Sequence, residues 1–398
     1  MTAAASAQDA LQDKLAMRRA LPAVVGALVG VHASMAATRV TASLLLLHLG
    51  YPEWMVGTLL SLFALAPLPL SLWAGRQADR HGMHRTLGVG VTMGAGGALL
   101  AAISQHPVAL ALAALTTGGA VAVAAVGIQR EAGRLAHNAL DLKRVFSWVS
   151  LGPALSNALA PVVVGLLIDH VGYRSGFVFA AVLPLLSWAF AGWVPRQPAP
   201  PAGPAAKQAP AWNLLKSPQL RALLLVNLAL SSCWDAHSFA IPVLGHVRAM
   251  SASSIGLVLG SFATAATLVR LLISRWADRL DERLALRSAM GLATAVSFLY
   301  AWLPGTGGML VGSAVLGLAL GSVQPMVLAM LHQVTPPDRH GQALGLRMLV
   351  TNGATVFMPT VFGLLAAATL PAAPMWLMGS IVLLAQWPAR RVVPGVGH

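Results

Sequence analysis

The sequence is poor in charge, poorer still in acid, and almost without cysteine. Only 10% of its 398 residues are charged, against about a quarter in an ordinary soluble domain, so a water-soluble globule is excluded. Disorder is excluded as well, because 57% of the residues are hydrophobic and disordered chains need the opposite balance. The single Cys233 rules out an intramolecular disulfide framework, a paired-cysteine metal site and a cysteine-ligated cluster. The phosphate loop GxxxxGK[ST] and the hydrolase patterns HExxH and GxSxG are all missing. ATP is therefore not the direct fuel by that route, no cofactor is implied, and intramembrane hydrolysis has neither its usual motifs nor paired acids to work with.

What fills the space is long uncharged stretches. Between Arg85 and Arg130 lie 44 residues without Lys, Arg, Asp or Glu, interrupted only by the polar turn Ser104 to Pro107. A membrane helix takes about 20 apolar residues, so two crossings fit there. Reading every run in this way predicts twelve helices, near 21–48, 55–75, 87–104, 108–136, 145–168, 176–194, 221–245, 253–274, 286–303, 309–333, 342–369 and 375–389. The length fits twelve crossings with short loops, and the lipid bilayer is the first partner. The net charge of +14 on a soluble chain would point to nucleic acid, but here it follows topology. With the N-terminus inside, 21 of the 26 basic residues fall in cytoplasmic segments and two, Arg174 and Arg248, fall outside. Short loops rich in Lys and Arg stay cytoplasmic, so both termini are expected in the cytoplasm.

A Pro-rich stretch at 195–217 reads as a linker, and it falls at the middle of the chain. An offset of 199 residues, half the length, carries the first six helices onto the last six. Local strings repeat too: GRQADR at 75–80 faces SRWADR at 274–279, PVVVGLL at 161–167 faces PTVFGLL at 359–365, and Gln129 with His137 returns as Gln324 with His332. The expected organisation is an N-terminal six-helix bundle (1–194), a cytoplasmic linker (195–217) and a C-terminal six-helix bundle (218–398). The two bundles are related by a pseudo-two-fold along the membrane normal in an all-α membrane protein.

The loop predicted between helices 2 and 3 carries Gly75, Asp79, Arg80 and Gly82. It resembles the GxxxDRxGRR signature of the major facilitator superfamily, with Met83 and His84 where basic residues are usual. Asp278 and Arg279 belong to a degenerate second copy, in which Ser274 and Asp281 replace the glycines. The resemblance implies a transporter whose Gly75, Asp79, Arg80, Asp278 and Arg279 latch the cytoplasmic side. Gly75, lacking a side chain, is expected to let helix 2 approach a neighbour closely. Gly152 and Pro153, followed by SNALAP, partly resemble the glycine-rich element of the family's antiporters, and with it the resemblance extends to a bacterial efflux type.

Polar groups inside the helices are few. An ionised side chain at a helix centre costs about 2.5–3.5 kcal/mol on insertion scales, so each one needs a partner, a cavity or a task. Arg39, with His32 seven residues earlier, lies on helix 1; Asp235 and His237 lie at matching depth on helix 7. The pattern suggests an Arg39–Asp235 pair in the empty protein, with Asp235 or His237 carrying a coupled proton. Asn227 and Ser231 stand eight and four residues before Asp235 and extend its face. Trp234 is a candidate cavity residue, while Trp54, Trp193, Trp212 and Trp387 fall near helix ends, where aromatic belts form. Arg130 and Glu131 near the inner third of helix 4 are candidates for gating or anion attraction, with Arg134 placed to pair with Glu131. Arg270 is expected to snorkel to the cytoplasmic face.

The function that follows is secondary active transport of a small organic solute by alternating access in a monomer, with protons as the coupling ion. Efflux of drugs or metabolites is the first reading and proton-coupled uptake of an organic anion the second; a non-transporting scaffold and an intramembrane enzyme rank below them.

Overall fold

A computed structural model describes residues 2–134, 139–194, 211–276, 282–336 and 340–390. Among the described residues there are twelve α-helices: α1 Thr2–His48, α2 Glu53–Leu65, α3 Pro67–Ile103, α4 Pro107–Arg134, α5 Ala139–Val171, α6 Tyr173–Ala191, α7 Pro218–Val247, α8 Ala252–Trp276, α9 Glu282–Leu299, α10 Gly305–Val334, α11 His340–Ala368 and α12 Ala373–Ala389. Ten helical stretches of the described residues are long and apolar enough to cross a membrane. Helices α7 and α12 contribute none of the ten. Asn227, Ser231, Asp235 and His237 dilute the first, and the second is 17 residues long. Large apolar side chains such as Leu384, Phe357 and Val171 are more than 70% exposed. In water that would be a liability; in lipid it is the expected outer surface.

The helices depart from the sequence expectation at three places. Helix 1 begins at Thr2 rather than near residue 21, because the Ala-rich polar segment before the membrane run is itself a good helix former. The second crossing breaks at Ala66, where α2 ends and Pro67 and Pro69 open α3; proline lacks the amide that would continue the ladder. The expected loop at 75–85 is instead helical, apart from Gly82 at φ 74°, ψ −177°. Arg, Gln and Ala favour a helix, and a residue without Cβ makes the turn alone. Of the proposed linker, 195–210 lies outside the described residues; its last part, Ala211–Lys216, is a 3-10 helix, and the Ser217 side chain accepts the Leu220 amide at 3.3 Å to start α7.

The chain divides into two compact units. The first comprises Met1–Thr41, Leu65–Ala160 and His170–Gly203. Its core joins Ala23, Val24, Ala27 and Leu28 of α1 to Leu87 and Val91 of α3, Ala120 and Ile128 of α4 and Val149 of α5. Small residues let these backbones meet. A Cβ on Gly152 would lie 2.8 Å from that of Leu28, and the Ser156 hydroxyl, one turn on, donates to the Val29 carbonyl at 3.0 Å. Gly152 therefore has a packing task in this unit.

The second unit comprises Ala42–Ala64, Pro161–Asp169 and Pro204–His398. Helix α8 packs on α10, α7 on α11 and α12, and α9 on α10 and α12. Two segments from the first half of the chain belong to it. Gly57 of α2 meets the Pro359 backbone of α11, and Ser61 shares a 2.8 Å hydrogen bond with Thr360. Gly165 of α5 meets Ala252 at the start of α8, where Asp169 accepts the amides of Ala252 at 2.9 Å and Ser253 at 2.8 Å. A carboxylate at a helix N-terminus satisfies two otherwise orphaned donors and opposes the helix dipole favourably.

Candidate functional site

Within the second unit α7, α8, α10 and α11 enclose a cavity of about 210 Å³. Helix α7 supplies Asn227, Ser231, Trp234 and Asp235, which the four-residue spacing places on one face. Gln324 comes from α10, and Thr351 and Thr355 come from α11. Asp235 is 6% exposed.

Arg270 of α8 also lines this cavity, which corrects the expectation that it snorkels away. Its Nε donates to the Gly321 carbonyl of α10 at 3.3 Å, and its guanidinium carbon lies 5.7 Å from the centre of the Trp234 ring, within cation–π range. Trp234 is steadied in turn by the edge-on ring of Phe262 at 4.5 Å. Asn227 joins two helices: its amide donates to Thr351 Oγ1 at 2.8 Å, and its carbonyl accepts from Arg347 at 3.4 Å.

His237, two residues beyond Asp235, is not among the residues lining this cavity. Its ring stacks on Phe262 at 4.2 Å, and its Nε2 meets Ser313 Oγ at 2.8 Å. Ser313 Oγ is 2.6 Å from the Tyr300 hydroxyl, which donates to the Met309 carbonyl at 3.1 Å. Because Tyr300 has one proton to give, the chain runs from His237 Nε2–H to Ser313 to Tyr300. That order fixes the His237 tautomer. A second, apolar cavity of about 390 Å³ between α7, α11 and α12 has Ser232 as its one polar side chain, too little to orient a solute.

In the first unit Arg39 is half-buried on α1, and the His32 ring donates from Nδ1 to the Leu28 carbonyl at 3.0 Å. On α4 Arg130 is half-buried and Glu131 is 3% exposed. Arg134 Nη1 stands 3.9 Å from Glu131 Oε2, a loose contact that leaves Glu131 Oε1 without a hydrogen bond among the described residues. Arg80 is exposed on α3. The Asp79 side chain, Asp278, Arg279, His137 and the His332 side chain lie outside the described residues. Among the described residues nothing lies within 4 Å of where a Cβ on Gly75 would stand. The glycine that the backbone needs in this segment is Gly82, at φ 74°.

The sequence profile of the Major Facilitator Superfamily matches residues 23–311 and 251–394. The chain belongs to the major facilitator superfamily. Its fold is similar to that of a mutant form of the nucleoside transporter NupG, with a TM-score of 0.77 and 16% identity over 95% of this chain and 100% of that one. It is similar to a POT family transporter in complex with a thioalcohol-conjugated peptide, at TM-score 0.76 and 12% identity over 94% and 97% of the two chains. A bacterial homologue of the human lysosomal transporter Spinster, inward-facing and unoccupied, gives 0.69 and 14% over 95% and 96%. Among curated proteins none matches this sequence. This superfamily member is accordingly a multi-pass membrane transporter rather than an enzyme.

Sequence reasoning missed Arg270, Thr351 and Thr355 as cavity residues of this transporter. For Arg270 a signal was present. It stands one turn after the small residue Ala266, whose backbone lies against Gly321, so it shares the face of α8 that packs on α10. Its depth suggested an interfacial arginine; its face points to α10.

Proposed function

We propose that this transporter exports a small organic solute by alternating access, driven by the proton gradient of a bacterial inner membrane, with both termini cytoplasmic and one chain as the working unit. The repeat halves 1–194 and 218–398 are its moving parts. The reading is carried by Asp235, a buried carboxylate on a helix among membrane spans, lining a polar cavity with Arg270, Asn227 and Gln324. A carboxylate kept in the membrane at that cost needs a task, and reversible protonation beside a solute site is the task that fits. Trp234, which lines the same cavity, is assigned to that site; His237, packed behind Phe262, and Arg39 of the first unit are each assigned to proton coupling. Arg130 and Glu131 are assigned to the cytoplasmic mouth, and Gly75, Asp79, Arg80, Asp278 and Arg279 to the latch. The Gly152–Pro153 element supports export.

Proton-coupled uptake of an organic anion is a second reading, favoured by Arg270 and Arg347 outnumbering Asp235 around the cavity. The test is the Asp235→Asn variant in proteoliposomes. Flux driven by a pH gradient should fall at least tenfold while solute exchange without a gradient persists, and the direction of wild-type flux separates export from uptake. Undiminished pH-driven flux in the variant removes Asp235 as the proton carrier.

A further inference from the structure

We propose that Arg270 and Trp234 form a carboxylate-binding subsite, so that the solute handled by the C-terminal cavity is a small organic carboxylate. The inference rests on the reading of that cavity as the transport site and adds to it the class of solute. A guanidinium has five N–H donors. Arg270 uses one, Nε, on the Gly321 carbonyl, and that is its one hydrogen bond among the described residues. No carboxylate of the described residues lies within ion-pair distance of it, although Asp235 lines the same cavity.

The position of the ring decides which donors stay available. The Arg270 guanidinium carbon lies over the Trp234 ring, so the indole braces the cation without consuming an N–H. A cation–π contact takes no N–H, so the four donors not used on Gly321 remain for the fork that matches the two oxygens of a carboxylate. Trp234 is itself braced by Phe262 and Phe262 by His237, so the cation is held before any solute arrives. Such preorganisation lowers the ordering cost of binding.

The surroundings agree on the sign and size of the ligand. Arg347 reaches the lining residue Asn227, so two guanidiniums face one carboxylate, and the balance stays positive even with Asp235 ionised. At 210 Å³ the cavity is smaller than the roughly 300–1,000 Å³ of drug-sized ligand sites, room for a solute near the size of a single ring. Asn227 is already engaged with Thr351 and Arg347. That leaves Arg270 as the cation in the lining able to receive an anion without breaking an existing contact.

The experiment measures benzoate and benzamide binding to the purified full-length protein by titration calorimetry, with Arg270→Gln and Arg270→Lys as variants. Benzoate is expected to bind at millimolar concentration and neutral benzamide at least tenfold more weakly. R270Q should lose at least tenfold in benzoate affinity, and R270K, which keeps the charge but not the fork, severalfold. The proposal is overturned if the parent protein does not bind benzoate, if benzamide binds equally well, or if R270K and R270Q retain the parent affinity. If R270Q does not fold, R270K and the benzoate–benzamide comparison still decide. Solute flux in a protein that ignores benzoate removes this subsite and leaves transport standing; Arg270-dependent benzoate binding in a protein that moves no solute does the reverse.

Discussion

Replacing Gly321 with alanine should destabilise the protein, and the size of the effect can be worked from the contact between α8 and α10. A Cβ at Gly321 would stand 2.5 Å from Ala266 Cα, 2.6 Å from its carbonyl oxygen and 2.7 Å from Val269 Cγ1. Carbon atoms rest about 3.5–4.0 Å apart, so the two helices must separate by roughly 1 Å. The nearest obstacles are backbone atoms and cannot rotate away. Overpacking of this kind costs about 1–3 kcal/mol. The same separation stretches the 3.3 Å bond from Arg270 to the Gly321 carbonyl past its useful range, adding about 0.5–1.5 kcal/mol. Gly291 of α9 supplies the control, because nothing lies within 4 Å of its missing Cβ among the described residues. There alanine should stabilise by about 0.5–1 kcal/mol through helix propensity alone. Thermal melting in detergent should show Gly321→Ala lowered and Gly291→Ala raised relative to the parent. A Gly321→Ala protein that melts with or above the parent would refute the close crossing, and with it the placement of Arg270.

Two further substitutions test other parts of the frame. Gly82→Ala forces a side chain into φ 74°, ψ −177° and should cost about 1–3 kcal/mol, read as a lower melting temperature; an unchanged temperature would mean the chain does not turn there. Asp169→Asn removes the charge facing the α8 N-terminus and one of the two accepting oxygens, which should cost about 0.3–1 kcal/mol and speed hydrogen exchange at the Ala252 and Ser253 amides, while equal exchange would show that the carboxylate is not their partner.

The number and approximate positions of the helices could be read from the sequence because hydropathy sums over a whole segment, and one misplaced residue hardly alters the sum. The shared face of Asn227, Ser231 and Asp235 was legible for a similar reason, as a four-residue period fixes which side chains align on one helix. What hydropathy does not contain is the rotation of each helix against its neighbours. Arg270 illustrates this: its depth made the lipid interface a sufficient destination, yet Phe262 and Ala266, which meet Gly317 and Gly321, turn its face onto α10. Thr351 and Thr355 had no charge to draw notice, and only the approach of α11 to α7 brings Thr351 to Asn227. Around Gly82 the charged string looked like a solvated loop. Helix propensity carried the backbone through it, and the turn shrank to one glycine.

The most direct test of the account is solute movement in proteoliposomes containing this protein alone, with an imposed pH gradient and an entrapped pH dye. The account predicts that a small organic solute moves with a matching flow of protons, and that reversing the gradient reverses the solute. Solute movement indifferent to the gradient, or none across a broad panel of carboxylates and drugs, would contradict it.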